Sequence, residues 1–337
     1  VKISTAYQTH PFEEKMDKEY KASESPAASI TKAASKQTYY TIRLFVDRER
    51  IPDAYRAYGY FRWVDDVIDA ETGSGPVLSE VEAAEKVPFV NRQKSLLDAC
   101  YRGNQPDDLS SEERMLADLV DSDTETNSGL QSYLRNMMDV MIFDAERRGR
   151  VISQAELSEY SKKLGTSVTE ALHYFIGHDD PSPHHEARYH AVTAAHITHM
   201  LRDTYEDTDT GYFNIPHEYL QTRGISPQDV KTRAYRKWVC ARIQLARRYF
   251  KTGRECIAQV RNPRCRLAGY AYIARFEWML RTIERDNYCL RSEYPDRKSL
   301  WAGLWMGWST LAPIFASPWT NRGNRNLAIQ PARFGKR

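Results

Sequence analysis

Five aspartates in two short runs carry the clearest chemical signal in the sequence. The first run is Asp65-Asp66-Val67-Ile68-Asp69 and the second is Asp203-Thr204-Tyr205-Glu206-Asp207. On a helix, residues four apart stand one turn apart on the same face, so Asp65 and Asp69 point together, as do Asp203 and Asp207. Like charges at that spacing repel by roughly a few tenths of a kcal/mol. A cation held between them offsets the repulsion. Carboxylate oxygens are hard ligands that suit Mg²⁺, an ion that keeps several waters and binds substrate phosphates. A diphosphate bridged by such an ion becomes a good leaving group, because the metal neutralises the charge that develops on it.

Acidic pairs at this spacing also occur on solvated helix faces, so the flanks decide. Tyr58, Arg62, Asp65 and Asp69 follow one another at spacings of 4, 3 and 4, and His196, His199, Asp203 and Asp207 at 3, 4 and 4. Both stripes run through apolar or aromatic surroundings, Tyr58-Gly59-Tyr60-Phe61 before the first and Met200-Leu201 before the second. A polar stripe in an apolar setting predicts a lined cavity. Eight of the nine histidines lie between His173 and His217. Three readings of His196 and His199 stand open: a transition-metal site with Asp203, hydrogen-bonded wall residues, or donors and proton carriers beside a diphosphate. His184 and His185 follow Pro183 and read as a loop or helix start. Of the aromatic residues, 12% of the chain, most are core; Tyr39, Tyr58 and Phe276 are the ones singled out to face a carbocation with a ring.

The elements that must position these residues are helical. Pro52 sits at the favoured first turn of a helix expected to run to about Ala70. Helix-period apolar residues recur near 90–102, 111–121, 129–148, 154–178, 186–207, 227–260 and 264–291. Runs of alternating β-branched residues are absent, and short loops such as 72–76 and 178–183 punctuate the segments. Residues 1–28 read as a flexible leader with no apolar core of a signal peptide, and residues 29–299 as a single all-α bundle of roughly eight to ten helices. The composition, 41% hydrophobic and 28% charged, is that of an ordinary globular protein. A net charge of +3 and the lack of zinc-finger or RNA-binding signatures argue against nucleic acid. Five scattered cysteines, Cys100, Cys240, Cys256, Cys265 and Cys289, fit reduced thiols of a cytoplasmic protein.

The stretch 300–319 contains four Trp and no charged residue. Three readings fit it: a terminal core helix, contact with a membrane surface, or a membrane span. Residues 320–337 form a basic tail carrying Arg322, Arg325, Arg333, Lys336 and Arg337, which favours an anionic membrane surface and hence a peripheral location.

Taken together, the motifs resemble the squalene/phytoene synthase family of head-to-head prenyltransferases. Ser35-Lys36-Gln37-Thr38-Tyr39-Tyr40 looks like its N-terminal Ser-rich substrate motif. Tyr58 to Asp69 is similar to its first Asp-rich helix, Met200 to Asp207 to its second, and Ala274 to Tyr288 to its penultimate helix. The likeness runs from about Ile30 to Lys298. It implies an all-α isoprenoid-synthase fold with a central cavity, and two or three Mg²⁺ ions at Asp65, Asp69, Asp203 and Asp207. It also implies diphosphate contact by Arg62, and a substrate surface that includes Ser35, Tyr39, His196, Arg202, Tyr212 and Phe276, with Tyr58 and His199 beside the reacting centre. The implied substrates are farnesyl or geranylgeranyl diphosphate. No dinucleotide motif bears on use of NADPH.

The sequence departs from the family pattern around the second Asp run. His196 and His199 stand where Gln and Asn are usual. Gly211-Tyr212-Phe213-Asn214-Ile215-Pro216 replaces a Gly-Arg-aliphatic-Tyr-Leu-Pro run, and Leu164 to Thr169 replaces a small-residue run. The acids are retained and their surroundings changed, which implies an atypical product. Two other functions compete with head-to-head coupling. One is a terpene cyclase or a prenyltransferase onto another acceptor, since Asp65-Asp66-Val67-Ile68-Asp69 also reads as DDxxD. The other is a non-catalytic membrane-associated assembly factor, which would have no need of the four acids.

Overall fold

A computed structural model describes residues 25–70, 80–178, 184–295 and 299–316. The expected loops at 72–76 and 179–183, most of the leader and the basic tail lie outside the described residues. Thirteen α-helices make up the described chain: α1 (Pro26–Ala34), α2 (Lys36–Phe45), α3 (Ile51–Asp69), α4 (Glu80–Tyr101), α5 (Ser111–Asp121), α6 (Gly129–Arg147), α7 (Gln154–Phe175), α8 (His190–Arg202), α9 (Thr204–Asp209), α10 (His217–Arg223), α11 (Arg233–Ile257), α12 (Pro263–Arg285) and α13 (Leu300–Ala316). Among the described residues the only β pairing is an isolated bridge between Val151 and Phe213.

The helix starts follow from local chemistry. Ser25, Ser35, Ser128 and Thr232 each cap the helix that follows by accepting a backbone N–H. Ser110 with Glu113 and Ser153 with Glu156 form full capping boxes. The expected eight to ten helices become thirteen among the described residues, the expected 227–260 narrows to Arg233–Ile257, the expected 264–291 stops at Arg285, and three other expectations shift. The first helix begins at Pro26, inside the expected leader, and buries Ala27 and Ala28. Helix α4 begins ten residues before the expected 90, running through Pro88. The expected helix 186–207 divides into a 3₁₀ turn (Glu186–Tyr189), α8 and α9, because Asp203 leaves helical geometry at φ −95°, ψ 8°.

Neighbours pack in a circuit, α6 on α7, α7 on α8, α8 on α11, α11 on α12 and α12 on α13, with α3 against α1, α5 and α6. The shared core takes Tyr60, Val64 and Ile68 from α3, Leu130, Leu134 and Met138 from α6, Ile197 from α8, Phe250 from α11, and Ile273 and Leu280 from α12. Helices α8 and α11 approach closely enough that a Cβ on Gly253 would stand 2.8 Å from the Ala191 backbone nitrogen, so only glycine fits there. Behind α3, the Tyr60 hydroxyl donates to Gln93 (3.0 Å), and Gln93 and Arg92 both donate to the buried Glu113. The bond from Arg92, with help from Gln93 and against the cost of burial, lowers the Glu113 carboxyl to about 2. The outward flank of α3 is thereby fixed to α4 and α5.

Candidate active site

Helix α3 delivers Asp65 and Asp69 at its C-terminal end, and the α8–α9 bend delivers Asp203 and Asp207. The bend does not spoil the second pair, because the Asp203 N–H still donates to His199 (3.0 Å) and the Asp207 N–H to the Asp203 carbonyl (2.8 Å). All four acids line one cleft of about 590 Å³, together with Arg147, Arg148, Tyr160, His196, His199, Arg202, Tyr212 and Asn214.

The loop after α9 ties the two walls. Gly211 turns it with φ +90°, and its carbonyl accepts from the Gly149 N–H (2.8 Å). The Val151–Phe213 bridge and the His217 N–H bond to Ile152 (2.9 Å) hold it against the chain following α6. Tyr212, so placed, donates its hydroxyl to Asp69 across the cleft (3.2 Å), and Asn214 donates its amide to Asp207 (2.8 Å). Asn214 in turn accepts from Arg147 (3.0 Å), which pairs with Asp144 (2.7 Å), which accepts from the Tyr160 hydroxyl (3.0 Å). The Arg147 guanidinium also lies over the rings of Tyr160 and Tyr212, at 4.7 and 5.0 Å. Burial works against its charge, but Asp144, Tyr160 and Asp207 together outweigh burial and raise its pKa.

Burial and neighbouring carboxylates disfavour charge on three of the four acids. Burial first and Asp69 second push the Asp65 carboxyl up to about 7, and burial with Asp203 pushes Asp207 up to about 8. Burial raises Asp69 too, although the Tyr212 bond pulls it down. A facing set of oxygen-only ligands in that condition suits a hard dication. Among the described residues no three His, Cys, Asp or Glu side chains converge to enclose an ion. Mg²⁺ asks for no such cage, since it is held by one or two carboxylates and completed by phosphate oxygens and water. A transition-metal site at His196, His199 and Asp203 finds no such cluster among the described residues.

His196 is buried edge-on against Tyr160 (4.8 Å), and its Nδ1 lacks a hydrogen-bond partner. Burial, then His199 and Arg147, hold its pKa well below the ordinary value, so it sits as a neutral wall imidazole. His199 is half exposed and reaches Asp203 at 3.4 Å. Arg202 forks onto Asp203. The same His199 and Arg202 also line an adjoining cavity of about 340 Å³ with Phe276, Trp278, Met279 and Met306.

Four expected site residues are not among those lining either cavity. Arg62 pairs with Asp65 (3.3 Å) and with Asp66, its side chain 41% exposed. Tyr58 is half-buried and packs on the core. Ser35 uses its hydroxyl to cap α2, accepting from the Thr38 N–H and hydroxyl. Tyr39 is buried, stacked on Tyr55 at 5.4 Å. Sequence reasoning missed Asp144, Arg147, Arg148 and Tyr160. The only hint was an acidic and two basic residues ending an apolar helix. Arg148 stands out: it is buried, its Nε donates to the Thr210 carbonyl (3.0 Å), and its Nη1 has no partner.

The sequence model for squalene/phytoene synthase matches residues 31–301. A presqualene diphosphate synthase of Zymomonas mobilis subsp. mobilis is 25% identical over 216 residues, 63% of this chain and 66% of that protein. Phytoene synthase 3, chloroplastic, of Zea mays is 25% identical over 281 residues, 79% of this chain and 61% of that protein. The chain thus spans about two thirds or less of the length of these two relatives. A dehydrosqualene synthase crystal structure superposes with a TM-score of 0.65 at 16% identity, covering 91% of this chain and all of that one. A squalene synthase from Alicyclobacillus acidocaldarius gives 0.59 at 18%, covering 84% and 98%. At such identities the structural likeness speaks for the fold.

Proposed function

Because the chain belongs to the squalene/phytoene synthase family, we propose that it ionises one allylic isoprenyl diphosphate between its two acid pairs and couples it head-to-head to a second. The observation that carries this reading is the facing of Asp65 and Asp69 with Asp203 and Asp207 across a single cleft. The C1–O bond of the first substrate breaks and its electron pair leaves with diphosphate. The C2–C3 double bond of the second attacks the allylic cation, and loss of a proton closes a cyclopropane that still carries the second diphosphate. The four acids would hold Mg²⁺, which when bound neutralises charge on the departing diphosphate.

The chain's own residues do the rest. The unpartnered Nη1 of Arg148 offers a buried donor to a diphosphate oxygen. Arg147 acts through Asn214 to orient Asp207, and Tyr212 orients Asp69. The adjoining cavity sets Phe276, Trp278, Met279 and Met306 beside the polar Gln37, Thr198 and Arg275, and its apolar part is where a prenyl chain would lie. Farnesyl and geranylgeranyl diphosphate are the substrates of this reading. Incubation with geranyl, farnesyl or geranylgeranyl diphosphate and Mg²⁺, followed by mass spectrometry, tests it. Coupled product from at least one is expected; release of diphosphate from none of them would refute the reading.

The main product departs from ordinary squalene or phytoene. Tyr212 and Asn214, two of the departures from the family pattern, are bonded one to each acid pair. Losing an Arg at position 212 removes a fixed cation from the second diphosphate's surroundings. A halted cyclopropyl diphosphate, a water-quenched alcohol or another coupling product is expected. His199→Asn with Tyr212→Arg should move the mixture toward the usual hydrocarbon. Clean squalene, dehydrosqualene or phytoene from the unaltered protein would show that these substitutions are without consequence for the product.

A further inference from the structure

Two cavities follow each other along α12. The one beside the acid cleft, of about 340 Å³, meets the helix at Phe276 and Met279. A smaller one, of about 40 Å³, meets it a turn earlier at Tyr272 and continues past Ala268 to Cys265. Helix α8 runs past in step. Val192, His196, His199 and Asp203 follow at spacings of 4, 3 and 4, one face of the helix. Val192 lines the small cavity, and the other three line the acid cleft. At 1.5 Å per residue, Val192 lies about 16 Å from Asp203 along α8. The small cavity thus sits at the deep end of the interior face that carries the second acid pair.

A pair of rings stands between the two cavities. Phe276 is edge-on to His199 at 6.1 Å, and Tyr272 packs tilted against Phe276 at 5.1 Å. Tyr272 differs from the other inward tyrosines. Tyr55, Tyr60, Tyr133 and Tyr160 each donate their hydroxyl to a named acceptor. Among the described residues the Tyr272 hydroxyl has no hydrogen-bond partner. A buried tyrosine normally finds one, so what this position supplies is the bulk of the ring. Behind it the walls suit hydrocarbon: Leu172, Ile176, Val192, Val260 and Ala268. His173 stands among them as a neutral imidazole, because burial and then Arg188 push its pKa down to about 3. Arg188 is itself taken up by Glu170 at 3.0 Å. About 40 Å³ admits a few waters, too little for an isoprene unit while the ring is in place.

We propose that Tyr272 sets the length of prenyl chain the protein accepts. Its ring closes the tail end of the cavity beside the acid cleft, so that a farnesyl chain fits and the extra isoprene unit of a geranylgeranyl chain meets the ring. The small cavity behind is the room that unit would take if the ring were cut back. The proposal rests on the prenyl diphosphate reading above and narrows it to one of the two substrates. A hydrophobic pocket discriminates by roughly 10–200-fold for a single methylene, so a whole isoprene unit against a ring should cost at least tenfold.

The test is calorimetric titration of the full chain, with Mg²⁺, by the thiodiphosphate analogues of farnesyl and geranylgeranyl diphosphate, whose C1–S bond resists ionisation. The unaltered chain should bind the farnesyl analogue at least tenfold more tightly. Tyr272→Ala should abolish or reverse that preference, chiefly by tightening the geranylgeranyl analogue. Tyr272→Phe keeps the ring and should keep the preference. Adding Val192→Phe to Tyr272→Ala fills the small cavity from the opposite wall and should restore it. Should Tyr272→Ala fail to fold, Tyr272→Leu carries the same expectation in smaller measure. Equal binding of both analogues by the unaltered chain would overturn the proposal and leave the prenyl diphosphate reading standing. So would an unshifted preference in the folded Tyr272 variants that lack the ring. Binding of neither analogue would overturn both.

Discussion

The two acid-bearing walls of the cleft are built on different plans. Asp65 and Asp69 ride on one unbroken helix, and Arg62 of the same helix sits in an exposed pair with Asp65 and Asp66. Asp203 and Asp207 ride on a bent helix. Asp207 ends a buried chain of bonds through Asn214, Arg147, Asp144 and Tyr160. The first wall is positioned by helix geometry with a single bond from Tyr212 to Asp69, and the second by side chains from α6, α7 and a loop. Substitutions around the first should therefore disturb ligand binding, and those around the second should disturb the fold as well.

The largest effects test what the walls share. Asp69→Asn and Asp207→Asn should each lower turnover by on the order of 10²–10³-fold, the scale of losing one group that stabilises transition-state charge. Circular dichroism should show an intact helical fold. Near-normal turnover in both variants would remove the acids from the chemistry.

The next effect separates them. Arg147→Met leaves Asp144 and the bonds to Asn214 uncompensated in a buried place. It should cost about 3–5 kcal/mol of stability, read from the midpoint of urea unfolding. Arg62→Met, at an exposed pair, should cost less than about 1 kcal/mol. Equal costs would erase the contrast between the walls. Arg62→Lys keeps the charge and loses the planar fork. It should raise KM by roughly a few fold with stability unchanged; an unaltered KM and kcat would reduce Arg62 to an ion pair.

What could be read from the chain beforehand follows the same division. Asp65, Asp69, Asp203 and Asp207 were legible because a helix converts sequence spacing into direction, and a bend of one residue did not undo it. The all-α fold and the bounds of α3, α5, α6 and α7 were legible from the apolar period, whereas α1, α2 and α10 were not expected as separate helices. The Asp144–Arg147–Asn214 relay was not, since Arg147 and Asn214 lie 67 positions apart and meet through the contacts of residues 148–152 with 210–217, the Val151–Phe213 bridge among them. Ser35 misled in the other direction: a Ser before a helix reads equally as a substrate contact or as a cap, and its hydroxyl is occupied as a cap.

The smallest effect lies behind the first wall. Glu113 has its pKa lowered to about 2, first by the bond from Arg92. Its contribution to stability is thus fully present above the ordinary glutamate range and disappears as pH falls from there through about 2. The Tm gap between the native protein and Glu113→Gln should be greatest above pH 5 and close on acidification, with turnover per folded molecule unchanged at neutral pH. A gap independent of pH would assign Glu113 a packing role only.

The bond from Tyr212 to Asp69 joins positions 143 residues apart. The cleft is therefore complete only when most of the chain has already closed on itself, and a fragment that keeps one wall keeps no site. Whatever binds across both walls recognises the folded chain and hardly the unfolded one, so it shifts the folding equilibrium of the entire domain by mass action. Melting temperature becomes a gauge of occupancy: a ligand present at 100 times its Kd adds about 2.7 kcal/mol, whether or not any bond in that ligand is broken.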